Sequence, residues 1–441
     1  MSEEKETKQQ EHINLVFIGH VDAGKSTLSG QILLLTGQVD KRTIEKYEKE
    51  AKEKNHESWW LAYILDIDEA ERARGKTVEC GKAEFRTDKK RVTLLDAPGH
   101  KGFVPAMIQG AAQADVAGLV ISARKGEFEA GFERGGQTRE HLMLSRTLGV
   151  QKLLVLINKM DDPTVNWSKD RYDEIVSKLE ETIDDAGYDL KKDVVFLPIA
   201  GYTGANIKEK RDSASWVTQP TLFEAIDSLP PIVRMTDKPL RLPVAAKGKD
   251  ERGQLFVAGK IESGALKTET EYILVPSYKK FTLTGIELGD GTPVTQADSG
   301  ENVTIYPKGI EEEDIFVGQV ICAADKPCYQ SMIFEVQMMI LSLPDSSPVI
   351  SRAYRSMLHI HTAAVECQLV QIDKTFGRKG KVLQENPDFI GVNANCVAKL
   401  KVSQPIAIEK FSEIPQLGRF TLREKTNTVA IGKVLRIKPI A

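Results

Sequence analysis

Five short, almost wholly apolar runs mark the first half of the chain: Ile13 to Ile18, Arg91 to Leu95, Val116 to Ser122, Lys152 to Ile157 and Val194 to Pro198. Runs of this length, rich in Val, Leu and Ile, predict strands buried on both faces of a parallel sheet. Between them the apolar positions recur at helical spacing over Thr27 to Leu35, Gly102 to Gly110, Thr138 to Leu148, Asp170 to Ala186 and Leu222 to Leu229. The alternation predicts an α/β domain. Asp40 to Asn55 is different, with sparse apolar marks at Ile44, Tyr47 and Ala51 among Glu and Lys at three- and four-residue spacing, which predicts a solvated helix. Trp59, Trp60 and Tyr63 follow it and are expected to pack this insertion onto its own domain.

Beyond Pro239 the pattern shortens to alternating segments with Gly turns. Leu242 to Ala246, Gly253 to Ile261, Glu271 to Val275, Phe281 to Ile286 and Asn302 to Pro307 predict a small β-barrel. A second β-rich unit begins near Ser331 with Phe334 to Ile340. It continues through Ser356 to Val370, Asn395 to Leu400, Pro405 to Glu409, Arg419 to Arg423 and Thr428 to Leu435. The expected organisation is a charged tail over 1–10, an α/β domain over 11–235, and β-barrels over 236–330 and 331–441. A length of 441 residues suits several domains.

Composition narrows the class only modestly. With 41% hydrophobic and 28% charged residues and no apolar run long enough to cross a bilayer, no membrane partner is expected. The polar first ten residues carry no apolar signal core, so the cytoplasm is the expected location. Cys80, Cys322, Cys328, Cys367 and Cys396 form no C-x-x-C pair and are expected to pack. A net charge of −3 argues against a generally basic nucleic-acid binder.

The chemistry sits at the ends of the apolar runs. Gly19-His20-Val21-Asp22-Ala23-Gly24-Lys25-Ser26 follows the first and fits G-x-x-x-x-G-K-[ST], a loop whose backbone N–H groups cradle phosphates at a helix N-terminus. Lys25 should reach the β- and γ-phosphates and Ser26 should ligate Mg²⁺, with Thr27 opening the helix. Asp96-Ala97-Pro98-Gly99-His100 ends the second run: Asp96 can hold Mg²⁺ through water and the Gly99 N–H can sense the γ-phosphate. Asn158-Lys159-Met160-Asp161 ends a third. The Asp161 carboxylate can accept from guanine N1–H and the exocyclic amine, donors that adenine lacks there. Asn158 would brace the base and the phosphate loop, and the Lys159 stem would cover the ring. The loop Ala200, Gly201 and Tyr202 is a candidate to complete the guanine pocket. His100 is the candidate to position water at the γ-phosphate by receiving its hydrogen bond. His359 and His361 complete no metal cluster and are expected to pack or face a partner.

From His12 to its end the chain resembles the translational GTPases and, within them, the eukaryotic class II polypeptide release factors. The three nucleotide motifs are shared with the wider family. More specific are Trp60 to Asp66, Arg74 to Glu79, Gly126 to Phe132, Asp162 to Trp167, Gly309 to Glu313 and Gly418 to Arg423. The resemblance implies an α/β P-loop GTPase domain followed by two small β-barrel domains, with GTP/GDP and Mg²⁺ as cofactors and Thr77 closing on Mg²⁺ and the γ-phosphate. It implies a ribosome-stimulated GTPase that delivers the class I release factor, monomeric outside that complex, with Gly418, Arg419, Phe420, Thr421, Leu422 and Arg423 as the candidate partner surface. Delivery of aminoacyl-tRNA, or of a release-factor-like rescue protein to stalled ribosomes, shares the same fold and remains open at this stage. Two residues depart from the broad pattern. Lys76 stands where elongation factors carry isoleucine, which matches the termination branch, and Ala200 replaces a serine, which predicts looser guanine-nucleotide binding with unaltered base choice.

Overall fold

The computed structural model describes residues 10–53, 59–65, 81–132, 137–210, 214–250, 252–343, 348–377 and 381–440. The chain divides into two compact units: most of the chain up to Val233 forms the first, and the chain from Arg234, together with the short segments Ala111–Gln113 and Met143–Val150, the second.

In the first unit β1 (Glu11–Ile18), β2 (Gly81–Arg86), β3 (Lys90–Asp96), β4 (Val116–Ser122), β5 (Lys152–Asn158) and β6 (Val194–Pro198) form one sheet in the order β2-β3-β1-β4-β5-β6. Only β2 runs antiparallel to its neighbour. Every residue of β4, and all but the first of β1 and β5, is buried, which is why these strands read as continuous apolar runs. Helices α1 (Lys25–Leu35), α2 (Lys41–Glu53), α3 (Val104–Gln113), α4 (Glu127–Phe132), α5 (Gln137–Leu148), α6 (Lys169–Asp185) and α7 (Leu222–Asp227) accompany the sheet. Their ends are set locally. Ser168 Oγ accepts from Arg171 N at 3.3 Å to start α6, and Thr221 and Glu224 cap α7 reciprocally. The core runs from β1 and β3 to α1 and α7, where the Phe85 and Phe223 rings stack 5.6 Å apart. On α2 only Ala51 is buried, as a solvated helix requires, and Tyr47 meets the buried Tyr63 edge-on at 6.3 Å.

This topology places the site. β1 lies between β3 and β4, so successive connections leave it in opposite directions, and a crevice opens beyond the carboxyl ends of the strands. The loops after β1, β3, β4, β5 and β6 all emerge on that edge.

The second unit is β-rich. Its first sheet, in the order β7 (Arg241–Pro243), β16 (Val320–Ala323), β11 (Glu271–Val275), β12 (Lys279–Leu288), β15 (Asn302–Lys308), β9 (Leu255–Lys260) and β8 (Ala246–Lys249), is an open antiparallel path. A ribbon of β10 (Ala265–Lys267) with β14 (Gln296–Asp298) is separate, and β13 (Pro293–Val294) pairs β12. The next sheet closes on itself: β19 (Arg355–Ile360), β24 (Arg419–Glu424), β25 (Asn427–Pro439), β17 (Tyr329–Ile340), β23 (Asn395–Ile408) and β20 (Ala363–Phe376) each pair in turn, and β20 returns to β19, while β21 (Val382–Glu385) also pairs β20 and β18 (Ile350–Ser351) with β22 (Phe389–Ile390) forms a small ribbon. Of the two expected barrels, this is the one whose pairings close among the described residues. A buried Arg241–Glu409 pair, at 2.7 and 2.8 Å, ties β7 to the chain just after β23. Cys322, Cys328, Cys367 and Cys396 are buried and free.

Three expectations are corrected here. Ser356 to Val370 is not one segment but a hairpin, broken at His361, whose φ of 41° turns the chain. Asn395 to Leu400 and Pro405 to Ile408 are parts of the one strand β23, with Glu409 just beyond it, and Pro405 lies where a register shift interrupts the ladder to β17. Gly418 to Arg423 is not a surface. Phe420 and Thr421 are fully buried, Leu422 and Arg423 nearly so, Gly418 is buried and only Arg419 is partly open. Phe420 and Leu422 fill the closed sheet's core, while the Arg423 guanidinium donates to Thr428 Oγ1 at 2.6 Å and Thr426 O at 2.8 Å. His359 and His361 are buried too, and His361 Nε2 lies 3.0 Å from Ala407 O, so both serve packing.

Candidate nucleotide site

At the carboxyl edge of the parallel sheet lies a cleft of about 630 Å³. From the predicted set it is lined by Asp22, Gly24, Thr27, Asn158, Lys159, Asp161 and Tyr202. Three loops far apart in sequence thus meet around one space.

The phosphate loop turns on Asp22 and Gly24, both with positive φ (62° and 96°). Gly24 is the N-cap of α1 and brings no capping side chain, so the first helical N–H groups face the cleft mouth with no oxygen of their own cap on them. Lys25 is buried and its ammonium folds onto the Gly19 and His20 carbonyls at 3.0 and 2.7 Å. Burial lowers it to about 8, against the opposing fields of Asp96 and Asp22. Ser26 sits half-buried in the first turn of α1, between Lys25 and Thr27, and Ala23 is buried.

The loop after β3 packs on this one. A methyl group on Gly99 would stand 2.4 Å from Lys25 Nζ and 3.0 Å from both Gly19 O and Val21 N, so only a glycine lets the two loops approach. Asp96 is fully buried at the end of β3. His100 caps the short turn Lys101–Phe103, its Nδ1 accepting from Gly102 N at 3.1 Å and its ring 5.6 Å from that of Phe103. A neutral imidazole that accepts at Nδ1 carries its proton on Nε2. In that tautomer the remaining ring nitrogen is a donor, whereas the sequence reading has the ring accept. Thr77 and Lys76 lie outside the described residues.

Asn158 joins the loops. Its Nδ2 donates to Ala23 O at 2.9 Å, and its Oδ1 accepts from Lys159 N at 2.8 Å and from Gly201 N at 2.7 Å. The Gly201 N–H is thus engaged by Asn158. Ala200 is buried and its N–H donates to Ala205 O at 3.1 Å, while Tyr202 is exposed at the rim. The Asp161 carboxylate, half-buried, accepts from Thr203 Oγ1 at 3.0 Å.

Five further lining residues were missed as site residues: Trp59, Arg124, Glu127, Asp162 and Pro163. The aromatic run around Trp59 was a visible signal, read as packing. Asp162 accepts from Thr164 Oγ1 and N and from Arg124, contacts that hold its carboxyl below the usual range despite burial. Burial pushes the Glu127 carboxyl up, but hydrogen bonds from Lys159 and Ser122 outweigh it and keep it ionised below its ordinary value.

Residues 10–231 match the protein family described as the elongation factor Tu GTP binding domain. The chain belongs to that family. Residues 333–435 match a second family, the GTP-eEF1A C-terminal domain-like group. Along its length the chain closely matches eukaryotic peptide chain release factor GTP-binding subunits. It is 45% identical to that of Ogataea pini over 434 residues, covering 97% of this chain and 57% of the relative, and 44% identical to that of Schizosaccharomyces pombe over 436 residues, covering 98% and 65%. The chain therefore spans about three-fifths of the length of such relatives. In fold it resembles the GTPase-like domain of S. cerevisiae Ski7, solved with GDP and inorganic phosphate, at a TM-score of 0.77 and 17% identity, covering 96% of this chain and 97% of that one.

The elongation-factor-Tu-type domain also offers a donor set suited to Mg²⁺. Among the described residues no group of three or more His, Cys, Asp or Glu could hold a metal ion. What the loops supply is a hydroxyl at Ser26, in the first turn of α1, and a buried carboxylate at Asp96. Mg²⁺ favours such sites, keeping several waters and binding through one or two protein oxygens plus phosphates. Among the described residues no helix is long and apolar enough to cross a membrane.

Proposed function

We propose that the chain is a cytoplasmic translational GTPase that binds GTP and GDP with Mg²⁺, delivers the class I stop-codon-reading release factor to the ribosome, and hydrolyses GTP during termination. The observation that carries the nucleotide reading is Asn158, which ties Ala23, Lys159 and Gly201 around one cleft. Identity of 45% across 97% of the chain, extending through the β-rich unit, supports the termination branch over aminoacyl-tRNA delivery.

In this reading the N–H groups from Val21 to Thr27 cradle the phosphates, Lys25 neutralises the β- and γ-oxygens, and Asp161 selects guanine. Lys159 covers the base, and Gly201 acts through Asn158 beside Ala200 and Tyr202. Ser26, Thr77 and, through water, Asp96 would hold Mg²⁺, which supplies charge stabilisation of the transferred phosphoryl group. His100 orients water at the γ-phosphate from Nε2, and Gly99 senses that phosphate. The first unit corresponds to a GTP-binding domain over 11–235. The open sheet with its ribbon corresponds to a second domain over 236–330, and the closed sheet over 331–441 carries the release factor, with Gly418 to Arg423 supporting it from within.

The test is binding of the purified chain to a class I release factor and to aminoacyl-tRNA, each with a GTP analogue and with GDP. Tight release-factor binding, strengthened by the analogue and with no charged-tRNA binding, is expected. Charged-tRNA binding alone would move the protein to elongation, and binding only a rescue factor on stalled ribosomes would move it to rescue.

A further inference from the structure

We propose that Glu127, the first residue of α4, is a positioning residue for the guanine-contact loop: it holds the Lys159 ammonium so that the lysine stem lies across the base. The inference deepens the nucleotide reading above and rests on it. Lys159 is a difficult residue to place. Its backbone has a φ of 62°, and its side chain is a flexible four-carbon stem that lines an open cleft. Its N–H is fixed by Asn158, but that leaves the stem free to rotate. Glu127 Oε2 receives the ammonium at 2.7 Å.

The carboxylate that does this is itself held. The same Oε2 accepts from Ser122 Oγ at 2.6 Å, and Oε1 accepts from Arg124 at 3.2 Å. Ser122 ends β4 directly opposite Asn158 on β5, so one rung of the parallel ladder sets the origin of both loops. Arg124 also reaches across to Asp162, whose carboxylate closes the turn after Asp161 through Thr164. The buried Arg171 of α6 donates to Ala123 O at 2.9 Å and to Glu129 at 3.0 Å, fixing the segment from β4 into α4 that carries Arg124 and Glu127. Exposed ion pairs contribute little to stability, but here the pair restricts a side chain that must lie in one plane. That gives the Gly126 to Phe132 stretch a function in the site.

The experiment measures release of a fluorescent GDP from the full chain by stopped flow. Glu127→Gln, which keeps the shape and removes the charge, is expected to speed release about three- to tenfold. In a Lys159→Ala background the same change is expected to add no more than about 1.5-fold, because a residue that acts through Lys159 has nothing left to position. A merely structural role would accelerate release equally in both backgrounds, and that result, or wild-type release from Glu127→Gln, overturns the proposal. If Glu127→Gln loses its cooperative thermal transition, Ser122→Ala loosens the same carboxylate and is expected to speed release about twofold, again only when Lys159 is present. No acceleration there overturns it as well. A wild-type chain that takes up no labelled GDP overturns both this role and the nucleotide reading; uptake without the coupling overturns the positioning role alone.

Discussion

Replacing Asn158 with Ala removes one side chain and three hydrogen bonds, at 2.9, 2.8 and 2.7 Å, that join the phosphate loop, the guanine loop and the loop after β6. Each neutral bond contributes about 1 kcal/mol net, and a buried donor or acceptor left without its partner costs about 1–3 kcal/mol. Asn158 is only 2% exposed, so the Ala23 carbonyl and the Gly201 N–H gain no ready substitute, whereas Lys159 N lies at the cleft, where water can serve it. Taken toward the lower end for the two groups left without a partner, the loss is roughly 2–3 kcal/mol. Because the bonds are made within the protein, the variant can let its three loops separate, and a nucleotide must gather them again without the brace. Most of the loss should therefore appear in affinity, as a rise of about 30- to 100-fold in the GDP dissociation constant. Titration of fluorescent GDP measures this, with competition by inosine diphosphate as a companion. The ratio of guanine to hypoxanthine affinity should stay near the wild-type value, since Asp161 is untouched. A dissociation constant within threefold of wild type would show that the brace is not what assembles the site.

Gly99→Ala drives a methyl group to 2.4 Å from Lys25 Nζ; ribosome-stimulated hydrolysis is expected to fall at least about tenfold, roughly 1.4 kcal/mol, with thermal melting little changed, and turnover within twofold of wild type would refute it. His359 and His361 are held neutral by burial, with the Arg423 charge adding to this at His359, and both are lowered from 6.5 to about 4. The unfolded chain then binds more protons than the folded one between these values. Their contribution is complete above pH 6.5 and is lost as pH falls toward 4, at about 1.4 kcal/mol per pH unit for each. Urea melts across that range should show the slope, and His361→Gln should remove about half of it; an unchanged slope would exclude the pair. Phe420→Ala empties a fully buried site in the closed sheet and should destabilise that sheet by about 3–5 kcal/mol. A variant that melts like wild type and loses only release-factor binding would return this residue to a surface role.

The nucleotide motifs were legible because each is local: a glycine turn, a lysine and a hydroxyl within eight residues of a buried strand carry their chemistry wherever the strand ends. Asn158 could be read as a brace for the same reason, since its place after β5 and the topology of a parallel sheet put it beside the phosphate loop. Glu127 and Arg124 were not legible as site residues. Their partners Lys159 and Asp162 lie 32 and 38 positions away, and charge alone does not say which loop a carboxylate faces. The β-rich unit shows the limit of period-2 reasoning most clearly. Alternation in Arg419 to Arg423 correctly turns Phe420 and Leu422 inward, and by the same rule it turns Thr421 and Arg423 outward, to water. Yet Thr421 and Arg423 are buried, and the turn at Thr426 and Thr428 supplies the oxygens that a buried guanidinium needs. A strand covered on both faces, with its polar positions satisfied by neighbours, has the same sequence pattern as one that faces solvent. Only what packs against the outer face decides between them.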